Sequence, residues 1–122
     1  MPKLGKIVSL GSSSNGNSYF IEINRNGYTK PFNLLIECGF AYNELLKRLT
    51  KNKVNFGDID AVLVSHEHQD HSYSVVDLIN RNKKVFAPET VFNKKNVESD
   101  NRFIMREYEW KVIADGIQVL PI

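Results

Sequence analysis

Cysteine is almost absent from the sequence, and so are long apolar runs. Cys38 is the single cysteine of the 122 residues, which excludes an internal disulfide and indicates a reducing compartment, most simply the cytoplasm. No stretch approaches the roughly 20 apolar residues of a membrane span. Residues 1–6 have no long apolar run after their charges, so they do not resemble a secretory signal. We therefore expect a cytoplasmic protein without a membrane partner.

A strong excess of charge of one sign is also lacking. The formal net charge is +2, which is too small to argue for nucleic acid by itself. Hydrophobic residues make up 42% and charged residues 25% of the chain, which is typical of a packed globular protein. We expect a single domain over residues 1–122. A solvated surface is a simpler interpretation than a phosphate-binding track for three basic pairs: Lys47-Arg48, Lys83-Lys84 and Lys94-Lys95.

Hydrophobic periodicity predicts a mixed α/β domain. Short β-type runs at 6–10, 18–23 and 33–37 indicate an antiparallel β-meander. The apolar spacing from Tyr42 to Leu49 predicts an amphipathic helix. The continuous apolar run 61–64 is typical of a strand buried on both faces. The remaining predictions are a loop at 65–71, a helix at 74–80 with Val75, Val76 and Ile79 inward, a strand at 84–87, a helix at 89–97, and strands at 102–106, 110–114 and 117–120 around an Asp115-Gly116 hairpin turn.

All three histidines of the chain lie within one six-residue segment, together with Asp70. His66 and His68 are two residues apart, so in an extended loop both rings point the same way and can share one cation. Asp70 and His71 are adjacent and face elsewhere, so they suit a second cation close by. Two metals about 3.5–4 Å apart polarise a phosphoryl or acyl oxygen and generate hydroxide near neutral pH. The alternative is a surface loop whose histidines are neighbours by chance.

This segment and the strand before it carry a family resemblance. Residues 59–71, Ile-Asp-Ala-Val-Leu-Val-Ser-His-Glu-His-Gln-Asp-His, resemble the His-x-His-x-Asp-His signature of the metallo-β-lactamase superfamily. Residues 34–39 are similar to the family's strand that ends in an acidic residue before a glycine, with Glu37 where most members have Asp. Residues 9–22 resemble the opening of a phosphodiesterase and nuclease branch, whose first turn reads Gly-Ser-Ser-Gly-Asn or close to it. The resemblance runs from residue 6 to the end of the chain.

The resemblance implies an αββα fold of which only the first sheet and helix half is present. It implies four metal ligands, with His66 and His68 on the first metal and Asp70 and His71 on the second. Two zinc, manganese or iron ions are implied for the complete fold, and Asp70 would also be the catalytic residue that orients the attacking water. Glu37 is implied to shape the surroundings of the ligands more than to bind a metal itself.

Part of the implied ligand set is missing from this sequence. In the family the missing ligands are a third His beyond a β-hairpin, a bridging Asp and a last His near the C-terminus. This chain has no further histidine. We expect weak metal occupancy of this chain alone, and a homo-oligomer or a C-terminal half as the source of the missing ligands. Substitute ligands are conceivable at five positions: Glu37, Cys38, Asp58, Asp60 and Asp115. For Cys38 a small buried apolar residue is the simpler interpretation.

Two functions follow, and the ligand count discriminates them. The first is a metal-dependent hydrolase, by resemblance a phosphodiesterase or nuclease that acts on nucleic acid or cyclic nucleotides through a hydroxide activated by two metals. The second is a truncated or degenerate, catalytically inactive member of the fold that acts as a binding or interaction module. A partner chain that supplies the missing ligands would favour the enzyme, and a stable monomer without metal would favour the module.

Three further features have a simple structural interpretation. The segment Gly11–Asn17 is more simply a hairpin turn than a phosphate cradle. Trp110 is expected to pack rather than to stack on a nucleic-acid base. Glu67 and Gln69 alternate with the implied ligands, so we expect them to point away from the metals.

Overall fold

A mixed sheet organises the computed structural model, which describes residues 3–122 of the chain. The strands are β1 Lys3–Ser13, β2 Gly16–Asn24, β3 Phe32–Ile36, β4 Ala61–Leu63, β5 Lys84–Ala87, β6 Arg102–Ile104, β7 Lys111–Ala114 and β8 Ile117–Val119. The helices are α1 Tyr42–Lys51, α2 Gln69–Ser72, α3 Val75–Asn80 and α4 Glu89–Lys95, with a 3-10 turn at Phe56–Asp58.

The order of strands in the large sheet follows their order in the chain, from β1 to β6. The first three strands pair antiparallel, which confirms the predicted β-meander. From β3 to β6 the pairing is parallel, and such strands need crossover connections, which are largely helical here. The carboxyl ends of β3, β4 and β5 therefore meet at one edge of the sheet.

Two hydrophobic layers cover the two faces of the sheet. Neighbouring residues of β3 show the division, because Leu35 packs into the core on the helix side and Leu34 into the core on the opposite side. This alternation is the period of two that any strand imposes on its side chains. On the side away from the helices, the β7–β8 hairpin contributes Ile113 and Ile117 to the second core. The Asp115-Gly116 turn predicted for this hairpin is present, with Gly116 at a φ of 77°.

Several details of the predicted elements are wrong. Val76 is 37% exposed, whereas Leu78 is fully buried in its place, because Val75, Leu78 and Ile79 share the i, i+3, i+4 face of α3. Trp110 precedes β7 and is 66% exposed, so it does not pack as expected. The helix predicted for 89–97 ends at Lys95, since Asn96 takes a left-handed conformation that stops it.

The described helices are short. Within residues 3–122, none is long and apolar enough to cross a membrane. We expect from residues 1–6 that the chain has no secretory signal, and residues 1 and 2 of that segment lie outside the described residues. The single-domain assignment stays a prediction.

Candidate metal centre

The three histidines come together at the edge where the parallel strands end. His66 and His68 follow β4, and their ring centroids lie 4.7 Å apart. The ring of His71 is 4.0 Å from that of His66. The interpretation that His71 faces elsewhere is therefore wrong. Its cause is α2, which starts inside the predicted loop and turns the chain back, with the His71 N–H donating to the His68 carbonyl at 2.9 Å.

A buried carboxylate, Glu37, lies beneath these rings. It follows β3, is 6% exposed, and takes a left-handed backbone conformation with a φ of 65°. Such a conformation costs a side-chain-bearing residue about 1–2 kcal/mol. Glu37 Oε1 accepts from the Ser65 N–H at 2.7 Å, and Oε2 contacts the Ser65 hydroxyl and lies 2.5 Å from His71 Nδ1. The hydrogen bonds of the carboxylate help to hold this backbone in place.

These contacts determine which imidazole nitrogens are free. A carboxylate only accepts hydrogen bonds, so His71 donates from Nδ1 to Glu37 and leaves the lone pair of Nε2 available. The Ser65 hydroxyl donates to Glu37, and it therefore accepts from His66 Nδ1 at 2.7 Å. His66 Nε2 is then free as well. Outer contacts of this kind fix the tautomer of metal-binding histidines.

The free nitrogen of His71 has a carboxylate oxygen beside it. Asp70 Oδ2 lies 3.4 Å from His71 Nε2. Two ligand atoms that each sit about 2.1 Å from a tetrahedral zinc are about 3.4 Å apart. Ligand atoms of Glu37, His66 and His71 also fall within 4.8 Å of one another. The imidazole nitrogens and the Asp70 carboxylate are ligand types that fit a divalent metal such as zinc, with Glu37 as an outer contact bonded to Ser65 and His71.

His68 is the most accessible of the three histidines. It is exposed and occupies the N-cap position of α2, where its side chain makes no capping hydrogen bond. Its imidazole is therefore not engaged by the helix that it precedes. The neighbours Glu67 and Gln69 instead turn toward α4, where they accept from Thr90 at 3.4 Å and from Lys95 at 2.9 Å.

Of the five conceivable substitute ligands, Glu37 is the one that joins the histidines in the part of the chain that the structure describes. Asp60 accepts from the backbone of Asn33 at 2.8 Å, and Asp115 contacts the Tyr28 hydroxyl. Cys38 is fully buried, and this burial raises the pKa of its thiol to about 12. The cysteine is thus a small core residue, as its sequence context indicates.

Close backbone contact fixes α2 against the segment after β3. The Cys38 N–H donates to the His71 carbonyl at 2.9 Å. At Gly39 a Cβ atom would lie 1.7 Å from the Asp70 carbonyl oxygen and 2.8 Å from the Asn17 nitrogen. Gly39 is therefore required for space, since its backbone is not in the left-handed region.

The Gly-Ser-Ser turn is a tight hairpin between β1 and β2 rather than a loop wide enough to cradle a ligand. The strands run to Ser13 and restart at Gly16. Its glycines accommodate an aromatic ring, because a Cβ at Gly11 or at Gly16 would come within 2.4 Å of the Phe40 side chain. The end of the turn reaches the metal motif, where Asn17 Nδ2 lies 3.1 Å from the Asp70 carbonyl oxygen.

Comparison with known proteins identifies the family. A family model described as Anti-Pycsar protein Apyc1 matches residues 6–98 of the 122. The chain belongs to the Apyc1 family. The matched segment includes the four implied ligands, Glu37 and the Gly-Ser-Ser turn.

A curated relative and two solved structures relate this Apyc1-family chain to the superfamily inferred from its motif. Exodeoxyribonuclease WalJ of Streptococcus pneumoniae is 28% identical over 124 residues, which cover 94% of this chain and 44% of WalJ. Rm3 metallo-β-lactamase gives a TM-score of 0.64 at 14% identity, covering 92% of this chain and 47% of that one. BJP-1 of Bradyrhizobium japonicum, a subclass B3 metallo-β-lactamase, gives 0.64 at 16% identity, covering 93% and 48%. The chain thus spans about half the length of these proteins.

The predicted superfamily and fold class are thereby confirmed. The Apyc1-family chain has the first sheet and helix half of the metallo-β-lactamase αββα fold. Sequence reasoning missed three residues that shape the candidate centre: Asn17, Gly39 and Ser65. Each of the three contacts a residue that is distant in the sequence. The Gly-Asn pattern of the resemblance was a signal for Asn17 and the acidic-x-Gly pattern was a signal for Gly39.

Proposed function

We propose that this chain carries the metal-binding half of a metal-dependent hydrolase that cleaves phosphodiester bonds in nucleic acid. The observation that carries this proposal is the clustering of three side chains at the edge where the strands end: the His66 and His71 rings lie 4.0 Å apart, and Asp70 Oδ2 lies 3.4 Å from His71 Nε2. Ligands bind at this edge in open α/β sheets. The exodeoxyribonuclease name of the WalJ relative favours DNA as the substrate over a cyclic nucleotide.

His66, His68, Asp70 and His71 are the proposed metal ligands. A bound divalent metal would polarise the phosphoryl oxygen and make hydrolysis by water accessible near neutral pH. Glu37 keeps a proton on Nδ1 of His71 directly and on Nδ1 of His66 through Ser65, so both rings present Nε2 as a lone pair. The Asp70 carboxylate is proposed to orient the attacking water by accepting a hydrogen bond from it.

The complete active unit is proposed to contain a second αβ half. A catalytic zinc commonly has three protein ligands and one open position, whereas the four proposed ligands would supply only two to each of two metals. WalJ and the two solved structures are about twice as long as this chain, which supports a further half as the source of the other ligands. A second copy of the chain is the competing source.

The first experiment measures bound metal per chain by elemental analysis, on protein purified without chelator. The test variant combines His68→Ala with Asp70→Ala. Glu67→Gln is the matched control, since the Glu67 side chain lies in the same segment but turns toward Thr90. About one or two ions per chain, retained in the control and lost in the double variant, would support the proposed site.

The second experiment measures release of nucleotides from single- and double-stranded DNA, with and without chelator. Because the remaining ligands are proposed to come from a second half or a second copy, hydrolysis is expected from the assembled unit, lost with chelator and in the double variant, with cyclic nucleotides tested in parallel. DNA binding without cleavage in a metal-loaded unit that contains the second half or copy would contradict the hydrolase and favour the binding module. No metal in either protein would contradict the proposed site in this chain.

A further inference from the structure

We propose that Asn17 is a positioning residue that fixes the Asp70–His71 edge of the metal centre from the β1–β2 hairpin. The functional meaning of this inference rests on the proposed metal site, whereas the contacts that Asn17 makes do not depend on that site. Asn17 is separated from Asp70 by 53 positions in the sequence, and its side-chain amide nevertheless contacts both residues of that edge.

The orientation of the Asn17 amide follows from its neighbours. Nδ2 lies 2.9 Å from the Ser13 carbonyl oxygen and 3.1 Å from the Asp70 carbonyl oxygen. Both groups are obligate acceptors, so the NH₂ end, and not the oxygen end, of the amide faces them. The two N–H bonds thus join the hairpin turn to the peptide of Asp70.

The same nitrogen lies against the two proposed ligand atoms of this edge. Nδ2 is 3.3 Å from Asp70 Oδ2 and 3.4 Å from His71 Nε2, and those two atoms are 3.4 Å from each other. The three atoms form a nearly equilateral triangle. An amide nitrogen has no lone pair to offer a metal, and its two N–H bonds are directed at the Ser13 and Asp70 carbonyls. Its role is therefore to fix the Asp70 backbone from which the other two atoms extend, at a separation that a shared tetrahedral ion would accept.

The backbone of Asn17 supports this arrangement independently of its side chain. The Asn17 carbonyl accepts from the Gly39 N–H at 3.0 Å. Gly39 in turn is packed against the Asp70 carbonyl so closely that a Cβ atom would lie 1.7 Å from it. Substitution of the Asn17 side chain leaves this backbone bond in place, so the effect of the amide can be separated from that of the fold.

The test uses Asn17→Ala and Asn17→Leu, the second of which keeps the branched shape of asparagine without its donors. Asn15→Ala is the matched control, because Asn15 lies in the same turn and its backbone N–H, which the substitution keeps, donates to Ser13 Oγ. The benchmark is the His68→Ala, Asp70→Ala double variant. Unfolding of each metal-free protein is measured first, to show that the variants are folded.

The metal arm titrates zinc or cobalt(II) calorimetrically and records the cobalt absorption spectrum. Loss of an outer contact to a ligand weakens metal binding about 10- to 100-fold, and we expect that range for both Asn17 variants. Asn15→Ala should match the wild type. Folded Asn17 variants with wild-type metal affinity and cobalt spectrum would overturn the inference and leave the proposed function intact.

The metal-free arm records amide resonances of the wild type and the variants by NMR. We expect the Asp70 and His71 signals to shift or broaden in both Asn17 variants and to stay in place in Asn15→Ala. Unchanged signals would overturn the inference. If the wild type binds no metal, the proposed function fails while this arm still decides the positioning role. Unfolding of both Asn17 variants beside a folded Asn15→Ala would also overturn it, because the residue would then serve the fold as a whole.

Discussion

The contact between Gly39 and Asp70 allows a sharp test of how the candidate metal centre is held. In Gly39→Ala the added Cβ would lie 1.7 Å from the Asp70 carbonyl oxygen, 2.3 Å from its carbonyl carbon and 2.8 Å from the Asn17 nitrogen. Real Cβ atoms essentially never approach closer than 3.0 Å, so the two segments must separate by at least about 1.3 Å. All three atoms belong to the backbone, so no side-chain rotation relieves the clash.

The magnitude follows from what this separation breaks. Overpacking of a well-packed site typically costs about 1–3 kcal/mol, and a clash with fixed backbone belongs at or above the upper end of that range. The same movement draws α2 away from Cys38, whose N–H bonds to the His71 carbonyl at 2.9 Å, and shifts His71 relative to Glu37. We therefore expect Gly39→Ala to lose about 3 kcal/mol of unfolding free energy and to bind metal at least about tenfold more weakly.

The assay is denaturant unfolding of the metal-free proteins, followed by metal titration of those that remain folded. Gly57→Ala is the control, because its Cβ would meet the Asn55 side chain alone, at 3.3 Å from the oxygen, and its backbone is not in the left-handed region. The control should stay within about 1 kcal/mol of the wild type. A Gly39→Ala protein with the stability and metal affinity of the control would refute the reasoning.

Three further outcomes are expected. Glu37→Gln places an amide N–H against donors from Ser65 or His71, so calorimetric titration should show metal binding weakened about 10- to 100-fold. The Cys38 thiol has an ordinary pKa of 9.0 and a folded pKa of about 12, so between these pH values its contribution should lower the unfolding free energy by about 1.4 kcal/mol per pH unit. Cys38→Ala should remove that slope, and the native protein should resist thiol reagents at pH 8. Ile113→Ala should lower the unfolding free energy by about 2–4 kcal/mol, whereas Val112→Ala at the exposed neighbouring position should lower it by less than about 0.5 kcal/mol. Equal decreases would show that the hairpin does not pack on the sheet.

Short-range patterns in the sequence predicted most of the fold. The stripe from Tyr42 to Leu49 and the run Ala61–Val64 are short-range signals of burial on one or on two faces, and α1 and β4 appear where they indicate. The misplaced Val76 shows the limit of this reasoning. Two adjacent valines are equally apolar, and only the direction of the core determines that Val75 is buried while Val76 is exposed.

The candidate centre was only partly readable from the sequence. The spacing of the histidines indicates that they cluster, but the direction of His71 depends on where α2 begins, and that is fixed by contacts with the segment after β3. Ser65 offered no signal, since its function depends on a carboxylate 28 positions away. The Asn17 amide likewise meets Asp70 only because the sheet brings the hairpin beside the strand ends.

If a metal binds as proposed, these contacts favour a centre that is organised by the protein rather than by the ion. Glu37 is buried and bonded to Ser65 and His71, and Gly39 leaves α2 no room to move closer. A site whose ligands are already ordered gives up little conformational entropy on binding, so its affinity is limited by the number of ligands. If a second half supplies the remaining ligands, metal affinity should rise steeply while the amide resonances around Glu37 and Gly39 stay nearly unchanged. Large changes there would instead mean that the ion, and not the packing of this half, sets the geometry.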